Sequence, residues 1–173
     1  MDIVNIVVSK KFNFKFNLEK IENAYPKICY RPKNFPSINL KLHESDLCQI
    51  FSNGNIIVLG EKTMNATMDL FKAYLVLLYD LGYPCTIENI KIQNIIARYS
   101  YGEKINLGEL AKRTKFEFEP ELFPAVRYRL EDLKITINIF RTGKCMILGG
   151  KSMEYIYLAE IFLTSLLNGE SNR

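Results

Sequence analysis

One pattern written twice, 89 residues apart, constrains this chain more than any other feature of its sequence. The later copy, Glu119 to Lys151, reads EPELFPAVRYRLEDLKITINIFRTGKCMILGGK. Within it Phe123-Pro124 answers Phe35-Pro36, Phe140 answers Phe51, and Gly143, Gly149 and Lys151 answer Gly54, Gly60 and Lys62. Upstream, Ile92-Gln93-Asn94-Ile95-Ile96 echoes Ile3-Val4-Asn5-Ile6-Val7, and Asn106-Leu107 echoes Asn17-Leu18. The offset drops to 88 around Pro32/Pro120 and Phe35/Phe123, so one residue is gained and lost again in loops. A period this long that occurs only twice is not a solenoid; it reads as a duplicated α+β unit, with repeats at 1–84 and 85–173 fused into one domain.

The charge supports no strong inference. Residues 1–84 carry ten basic and eight acidic groups and residues 85–173 carry thirteen and eleven, giving a net charge of +4. That is too mild to argue for nucleic acid by itself. No apolar run is long enough for a membrane span, and the N-terminus lacks signal-peptide regions, which predicts an intracellular protein with no membrane partner. Cys29, Cys48, Cys85 and Cys145 show no C-x-x-C spacing and read as reduced, mostly buried thiols without zinc. His43 reads as a solvated turn residue. With no paired carboxylates, nucleophile–base set, metal ligands or phosphate-binding glycine loop, no enzyme and no cofactor is expected.

Periodicity predicts the same element order in each half. A β-branched strand at 3–8 leads to Asn17 as N-cap of a short helix, a brief extended stretch at 27–31, a proline loop at 32–36, and strands at 38–42, 47–51 and 55–59. Gly54 supplies the positive φ of a tight hairpin. The helix over 63–81 has its core stripe read as Met64, Met68, Phe71, Leu75, Leu78 and Tyr79, with Gly82 just past its end. The second half repeats this with strands at 91–99, 115–118, 125–130, 135–140 and 144–148 and helices at 106–113 and 152–167. Five strands and two helices per half predict an α+β fold, an antiparallel sheet with helices on one face.

Side chains two apart along a strand share a face, so the uncovered face can be read by parity. Phe51 groups with Gln49, Ile57 and Leu59, and Phe140 groups with Asn138, Met146 and Leu148. The hairpins are expected to pair 51 with 57 and 49 with 59, and likewise in the second half. Asn5, Val7 and Ser9 fall with Asn94, Ile96 and Arg98, and the row carrying Gln49 and Asn138 continues to Asn39 and Arg127. Single-residue readings compete here: a lone Phe is usually core, and Asn5 and Asn94 could be amides bonding backbone.

These residues resemble the TATA-box-binding protein family, through the doubled Asn-Ile strands, the EPELFP loop, both I-F-x-x-G hairpins and the Leu-Gly-x-Lys helix entries. The resemblance implies a saddle of two pseudo-symmetric repeats, a curved ten-stranded antiparallel sheet with four helices on its convex face. It implies minor-groove binding of promoter DNA, with Phe35, Phe51, Phe123 and Phe140 as wedges that kink the duplex. Asn5 and Asn94 match the central amides, while Lys41, Arg129 and Lys144 match cations placed against phosphates. Glu119, Glu121 and Leu122 match the stirrup that docks a transcription factor IIB-like partner, alongside other general transcription factors. Such a protein acts in the nucleus, or at the site of viral transcription if virus-encoded.

Two departures from the family stand out. Leu59 and Leu148 replace Thr, and Gln49 and Asn138 replace Leu, as though polar and apolar cross-strand partners had exchanged places in both halves. Because Gln and Asn accept as well as donate, a weaker preference for A·T is expected. The helix over 63–81 carries Lys72 and two aspartates where the family helix is strongly basic. The alternative function is a diverged adaptor or competitor that keeps partner surfaces and binds DNA weakly.

Overall fold

The computed structural model describes residues 1–25, 36–114 and 116–169. The chain divides into two compact units, Asn5–Gln93 and Met1–Val4 together with Asn94–Arg173. Elements run β1 (Asp2–Lys11), α1 (Leu18–Ala24), β2 (Ser37–Leu40), β3 (Leu47–Phe51), β4 (Asn55–Glu61) and α2 (Met64–Asp80). The order then repeats as β5 (Lys91–Ser100), α3 (Leu107–Thr114), β6 (Ala125–Leu130), β7 (Ile135–Phe140), β8 (Lys144–Gly150) and α4 (Met153–Leu167). All pairings within each unit are antiparallel, in the order β2-β3-β4-β1 in the first and β5-β8-β7-β6 in the second.

The described residues hold eight strands, four per order, where the sequence predicts ten. The expected strand at 27–31 lies outside the described residues. The expected strand at 115–118 reduces to one bridge, in which the Arg127 N–H donates to the Glu117 carbonyl at 3.0 Å. Pairing stops there because Pro120 has no N–H to donate and the chain turns at once, Leu122 and Phe123 both donating to the Glu119 carbonyl. Phe116 instead stacks on Tyr128, ring centroids 3.9 Å apart.

The hairpin register also differs from expectation. Gln49 pairs with Ile57, not Leu59, and Asn138 pairs with Met146, not Leu148. The cause lies in the turns: Gly54 and Gly143 adopt φ of +95° and +81°, and each N–H closes a four-residue turn on the carbonyl of Phe51 or Phe140. That leaves three residues in each loop and moves the partner two positions closer than predicted. Parity survives a shift of two, so the face assignments stand while the direct exchange of Gln49 with Leu59 and Asn138 with Leu148 does not.

Gly143 also allows a close approach, since a Cβ there would lie 2.0 Å from the Glu103 carbonyl oxygen. Gly143→Ala is therefore expected to cost about 2–4 kcal/mol, combining left-handed backbone strain with a clash that backbone cannot relieve. Gly102, with φ +90° and nothing within 4 Å of its built Cβ, is the control and should cost about 1–2 kcal/mol as alanine. Urea unfolding midpoints of the two variants check the difference.

Each unit buries its strands' inner face beneath helices. Buried Ile56 and Val58 of β4 lie against α2, which buries Phe71, Tyr74 and Leu78, and buried Ile137, Ile139 and Ile147 of β7 and β8 lie against α4, which buries Ile156, Ala159 and Leu163; Ile6, Val8, Ile50 and Ile95 are buried on the neighbouring strands. Each such side chain contributes about 1.5–3 kcal/mol by leaving water. The α2 stripe is Thr67, Leu70, Phe71, Tyr74, Leu75 and Leu78. Met64 and Met68 are half-buried at its flank and Tyr79 is exposed, contrary to the expected stripe, because polar Thr67 and Tyr74 take the central positions. Tyr74 is tolerated there because its hydroxyl donates to buried Asp46, whose carboxylate also accepts from the Leu42 and His43 N–H groups. Burial first, and that donation second, raise the Tyr74 phenol from its usual range.

The helix ends follow the side chains placed there. Asn17, Thr63 and Ser152 cap α1, α2 and α4 by accepting from the N–H three residues on, and Asn106 does the same for Glu109 at the start of α3. At the end of α2, Gly82 has φ +85°, its N–H donates to Tyr79 and the Tyr83 N–H donates to Leu78, a Schellman closure. Cys48 and Cys145 are buried and Cys85 is half-buried. Burial pushes the Cys145 thiol up to about 12 and the Cys85 thiol up to about 11, away from thiolate chemistry. Cys29 lies outside the described residues.

Candidate nucleic-acid interface

Helices cover one face of each unit's strands, and the other face carries the residues singled out by parity. Asn5, Val7 and Ser9 alternate with buried Ile6, Val8 and Lys10, and Asn94 and Ile96 alternate with buried Ile95 and Ala97, as does exposed Arg98. Gln49 and Ile57 in one unit, and Met146 in the other, are partly exposed between buried neighbours, and Leu59 and Leu148 are partly exposed beside buried Val58 and Ile147. Each face therefore mixes aliphatic side chains with amide, hydroxyl and guanidinium groups, and among the described residues no group of three or more His, Cys, Asp or Glu could hold a metal ion.

The two asparagines matched by the repeat, Asn5 and Asn94, are held in the same way. The Gly60 N–H donates to Asn5 Oδ1 at 3.0 Å, and the Gly149 N–H donates to Asn94 Oδ1 at 2.9 Å. These glycines have φ of +126° and +96°, and the ladders slip beside them, between Ile6 and Val7 and between Ile95 and Ala97. Each bulge leaves a backbone N–H that the asparagine oxygen satisfies. An N–H can only donate, so the oxygen is identified without ambiguity and the amide NH2 is the end left over. Bonding to backbone and offering a donor outward are thus two ends of one amide.

The aromatic residues cluster where the repeat places them. Phe123 and Phe140 meet edge to face, centroids 6.0 Å apart, both partly exposed at one end of their unit. Phe51 is partly exposed at the end of β3. Phe35 lies outside the described residues. The Arg127 guanidinium stands over the Phe123 ring, 5.0 Å from its centroid.

Across each face the register aligns a row of four. In one unit it is Asn39, Gln49, Ile57 and Ser9. In the other it is Arg127, Asn138, Met146 and Arg98. Gln49 Nε2 donates to Asn39 Oδ1 at 3.3 Å, and Gln93 Nε2 donates to Ser9 Oγ at 2.7 Å. The position of Gln93 beside Ser9 follows from strand pairing, which parity alone does not supply. Asp2 holds Arg98 at 3.1 Å in an exposed pair worth little to stability.

The rim carries the cations. Lys41 and Lys144 are exposed, and Arg129 Nε lies 3.2 Å from Glu131 Oε2 in another exposed pair. Lys41 sits at the start of the loop that Asp46 ties down through Leu42 and His43. The turn at 119–123 presents Glu119, Glu121 and Leu122 to solvent, Leu122 being 80% exposed. Beside it is a hollow of about 650 Å³ lined in part by Phe118, Pro120 and Pro124.

Comparison with known proteins gives one answer. The family described as "Transcription factor TFIID (or TATA-binding protein, TBP)" matches residues 1–81 and 89–168. The chain is 36% identical over 156 residues to the TATA-box-binding protein of Methanocaldococcus jannaschii, covering 88% of this chain and 85% of that protein. It is 33% identical over 159 residues to a TATA-box-binding protein-like 1 of Entamoeba histolytica, covering 89% of this chain and 73% of that protein. Among solved structures, Methanococcus jannaschii TBP matches with a TM-score of 0.86 at 32% identity, over 97% of this chain and 98% of that one.

Proposed function

Because the chain belongs to the TATA-box-binding protein family, we propose that it is a promoter-binding initiation factor that opens and bends the minor groove by inserting phenylalanine wedges. The observation that carries this reading is the paired asparagine. With both oxygens committed to Gly60 and Gly149, Asn5 and Asn94 offer NH2 donors amid apolar side chains, matching a groove floor where A·T pairs present only adenine N3 and thymine O2 acceptors. Phe51, Phe123 and Phe140, with Phe35 at the matching position of the repeat, supply the wedges. Each exchanges base stacking, a loss of a few kcal/mol per step, for contact with an aromatic ring and a groove widened onto the protein. Lys41, Arg129 and Lys144 take phosphates.

The second part of the proposal is recruitment of a transcription factor IIB-like protein by the 119–123 turn. Exposed Glu119 and Glu121, with Leu122 beside them at 80% exposure, suit a basic partner that also covers an aliphatic side chain. Such a factor works at the genome.

A gel-shift series with an A·T-rich duplex and a purified IIB-like factor tests both parts. Glu119→Arg with Glu121→Arg is expected to leave the binary DNA complex within about threefold of wild type and to weaken the ternary complex about tenfold or more. The binary complex should weaken steeply with salt, with a logarithmic slope near −0.9 per phosphate engaged. Salt-insensitive absence of DNA binding, with the partner still bound, would favour the adaptor reading.

A further inference from the structure

We infer that Phe12, Phe14, Phe16 and Tyr83 are positioning residues for Phe51, an aromatic brace that holds the turn behind this wedge in place before DNA arrives. The inference rests on the wedge reading above and adds to it residues that act only through Phe51.

The turn at 51–54 is cradled by the chain where β1 ends. The Phe12 N–H donates to the Gly54 carbonyl at 2.9 Å, the Phe16 N–H donates to the Ser52 carbonyl at 3.1 Å, and Lys11 Nζ donates to the Asn53 carbonyl. A Cβ on Gly54 would lie 2.3 Å from the Phe14 carbonyl oxygen, so backbone rests directly on backbone. Phe51 opens that turn, its carbonyl accepting from the Gly54 N–H at 3.1 Å. A shift of residues 12–16 is therefore passed to Phe51 through close-packed contacts.

Side chains hold the cradle. Phe12 and Phe16 are buried, and partly exposed Phe14 stacks on Phe12 with centroids 5.1 Å apart and meets Phe16 edge to face at 5.2 Å. Tyr83 completes the cluster, nearly parallel to Phe14 at 6.1 Å and edge to face with Phe16 at 4.9 Å. Such ring pairs attract beyond the area they bury. The Tyr83 hydroxyl accepts from the Asn17 N–H at 3.0 Å and donates to the Asn17 carbonyl at 3.2 Å. Lys20 Nζ stands 5.4 Å from the Tyr83 ring centroid. Because Tyr83 also takes part in the closure of α2, the brace runs from the end of that helix through Phe14 to the Phe51 turn.

The second repeat supplies the comparison. Tyr101, Glu103 and Ile105 stand where Phe12, Phe14 and Phe16 stand in the first. The backbone cradle is kept, with the Tyr101 N–H donating to Gly143 at 2.9 Å and the Ile105 N–H donating to Arg141 at 3.0 Å. The central ring is not kept, since Glu103 is exposed, and Tyr101 sends its hydroxyl to the Leu167 carbonyl at 3.3 Å. The backbone contact thus belongs to both wedge turns, and the Phe14 stack to one. A wedge whose support is already ordered loses less on entering a base step, because ordering during binding subtracts from affinity.

The test uses A·T-rich duplexes with 2-aminopurine, which brightens on unstacking, at the step near one end of the site or the other. At saturating protein, Phe51→Ala identifies the reporter that answers to Phe51, and Phe140→Ala the one that answers to Phe140. Phe14→Leu and Tyr83→Ala should each lower the Phe51 reporter about threefold or more and leave the Phe140 reporter unchanged. Phe14→Tyr, which keeps the ring, should restore the wild-type signal. Leu70→Ala, a truncation of a buried side chain roughly three turns before the end of α2, controls for stability. It should lower the melting temperature at least as much as Phe14→Leu and leave both reporters unchanged. In the free protein, amide exchange at Phe12, Phe16 and Gly54 should quicken about tenfold or more in Phe14→Leu, with Tyr101, Ile105 and Gly143 unaffected. A Phe51 reporter that is unchanged in Phe14→Leu and Tyr83→Ala, or lowered equally by Leu70→Ala, would overturn the inference while the wedge reading stands. If Phe51→Ala itself leaves both reporters unchanged, the wedge reading falls and the inference with it.

Discussion

Phe123→Ala with Phe140→Ala is expected to lower affinity for A·T-rich duplex DNA by about 100-fold or more and to abolish bending at that end of the site. Stacking of a base on an aromatic ring is worth about 1–3 kcal/mol, and two such contacts are lost together. The rings touch edge to face at 6.0 Å and are partly exposed, so their removal takes away contacts with each other and little core. Folding should survive, which thermal melting checks in parallel. A titration by fluorescence anisotropy gives the affinity. If the double variant binds as tightly as wild type, the aromatic pair is a surface cluster and the wedge reading of both repeats falls with it.

A second large effect is expected from a change of a few atoms. Asn5→Asp with Asn94→Asp keeps an oxygen for the Gly60 and Gly149 N–H groups, while replacing the outward NH2 with a second, negatively charged oxygen. The bulges keep their partners, so stability should stay within about 1 kcal/mol of wild type at each site. Against the groove floor the change is severe: two donors are lost and two anions face acceptors and phosphates, for an expected loss of about 100-fold or more in DNA affinity. The corresponding alanine variants would lose both functions at once, so the aspartates separate them. Unchanged DNA binding by the double aspartate would show that the amide ends face no base.

Much of this was legible in the sequence because a duplication states each element twice. Asn17 is readable as a cap, Gly54 and its repeat partner Gly143 as turn glycines, and Asn5 and Gln49 in one repeat and Met146 in the other as residues of an uncovered strand face, whereas the helix expected from 106 begins at Leu107 with Asn106 as its cap. What parity could not supply was register: a hairpin loop of three residues and one of five place the same side chains on the same face, and only the turn closed by Gly54 on Phe51 distinguishes them. The α2 stripe differs from the expected one because apolar periodicity does not see Thr67, whose hydroxyl donates to the Thr63 carbonyl, or Tyr74, whose hydroxyl is satisfied by Asp46 in the loop before β3. The strand expected at 115–118 failed for a local reason, the proline and tight turn that follow it. Within the candidate site, the difference between partly exposed Gln49 and Asn138, which is 8% exposed, could not be read from residue type, since both are amides.

The same comparison locates the departure from the family's basic first-repeat helix. The exposed positions of α2 include Val76, at 58%, and Tyr79, at 67%, while Lys72 is tied to Asp69 at 3.2 Å. An exposed pair of this kind contributes little to stability and leaves that helix close to neutral.

The most direct test of the central claim is the end-to-end distance of a donor- and acceptor-labelled duplex carrying the A·T-rich site, followed by energy transfer as protein is added. Binding should shorten that distance, the shortening should be lost in Phe123→Ala/Phe140→Ala, and the affinity should fall steeply as salt is raised. A duplex that is saturated with protein while its ends stay at their free separation would contradict the account.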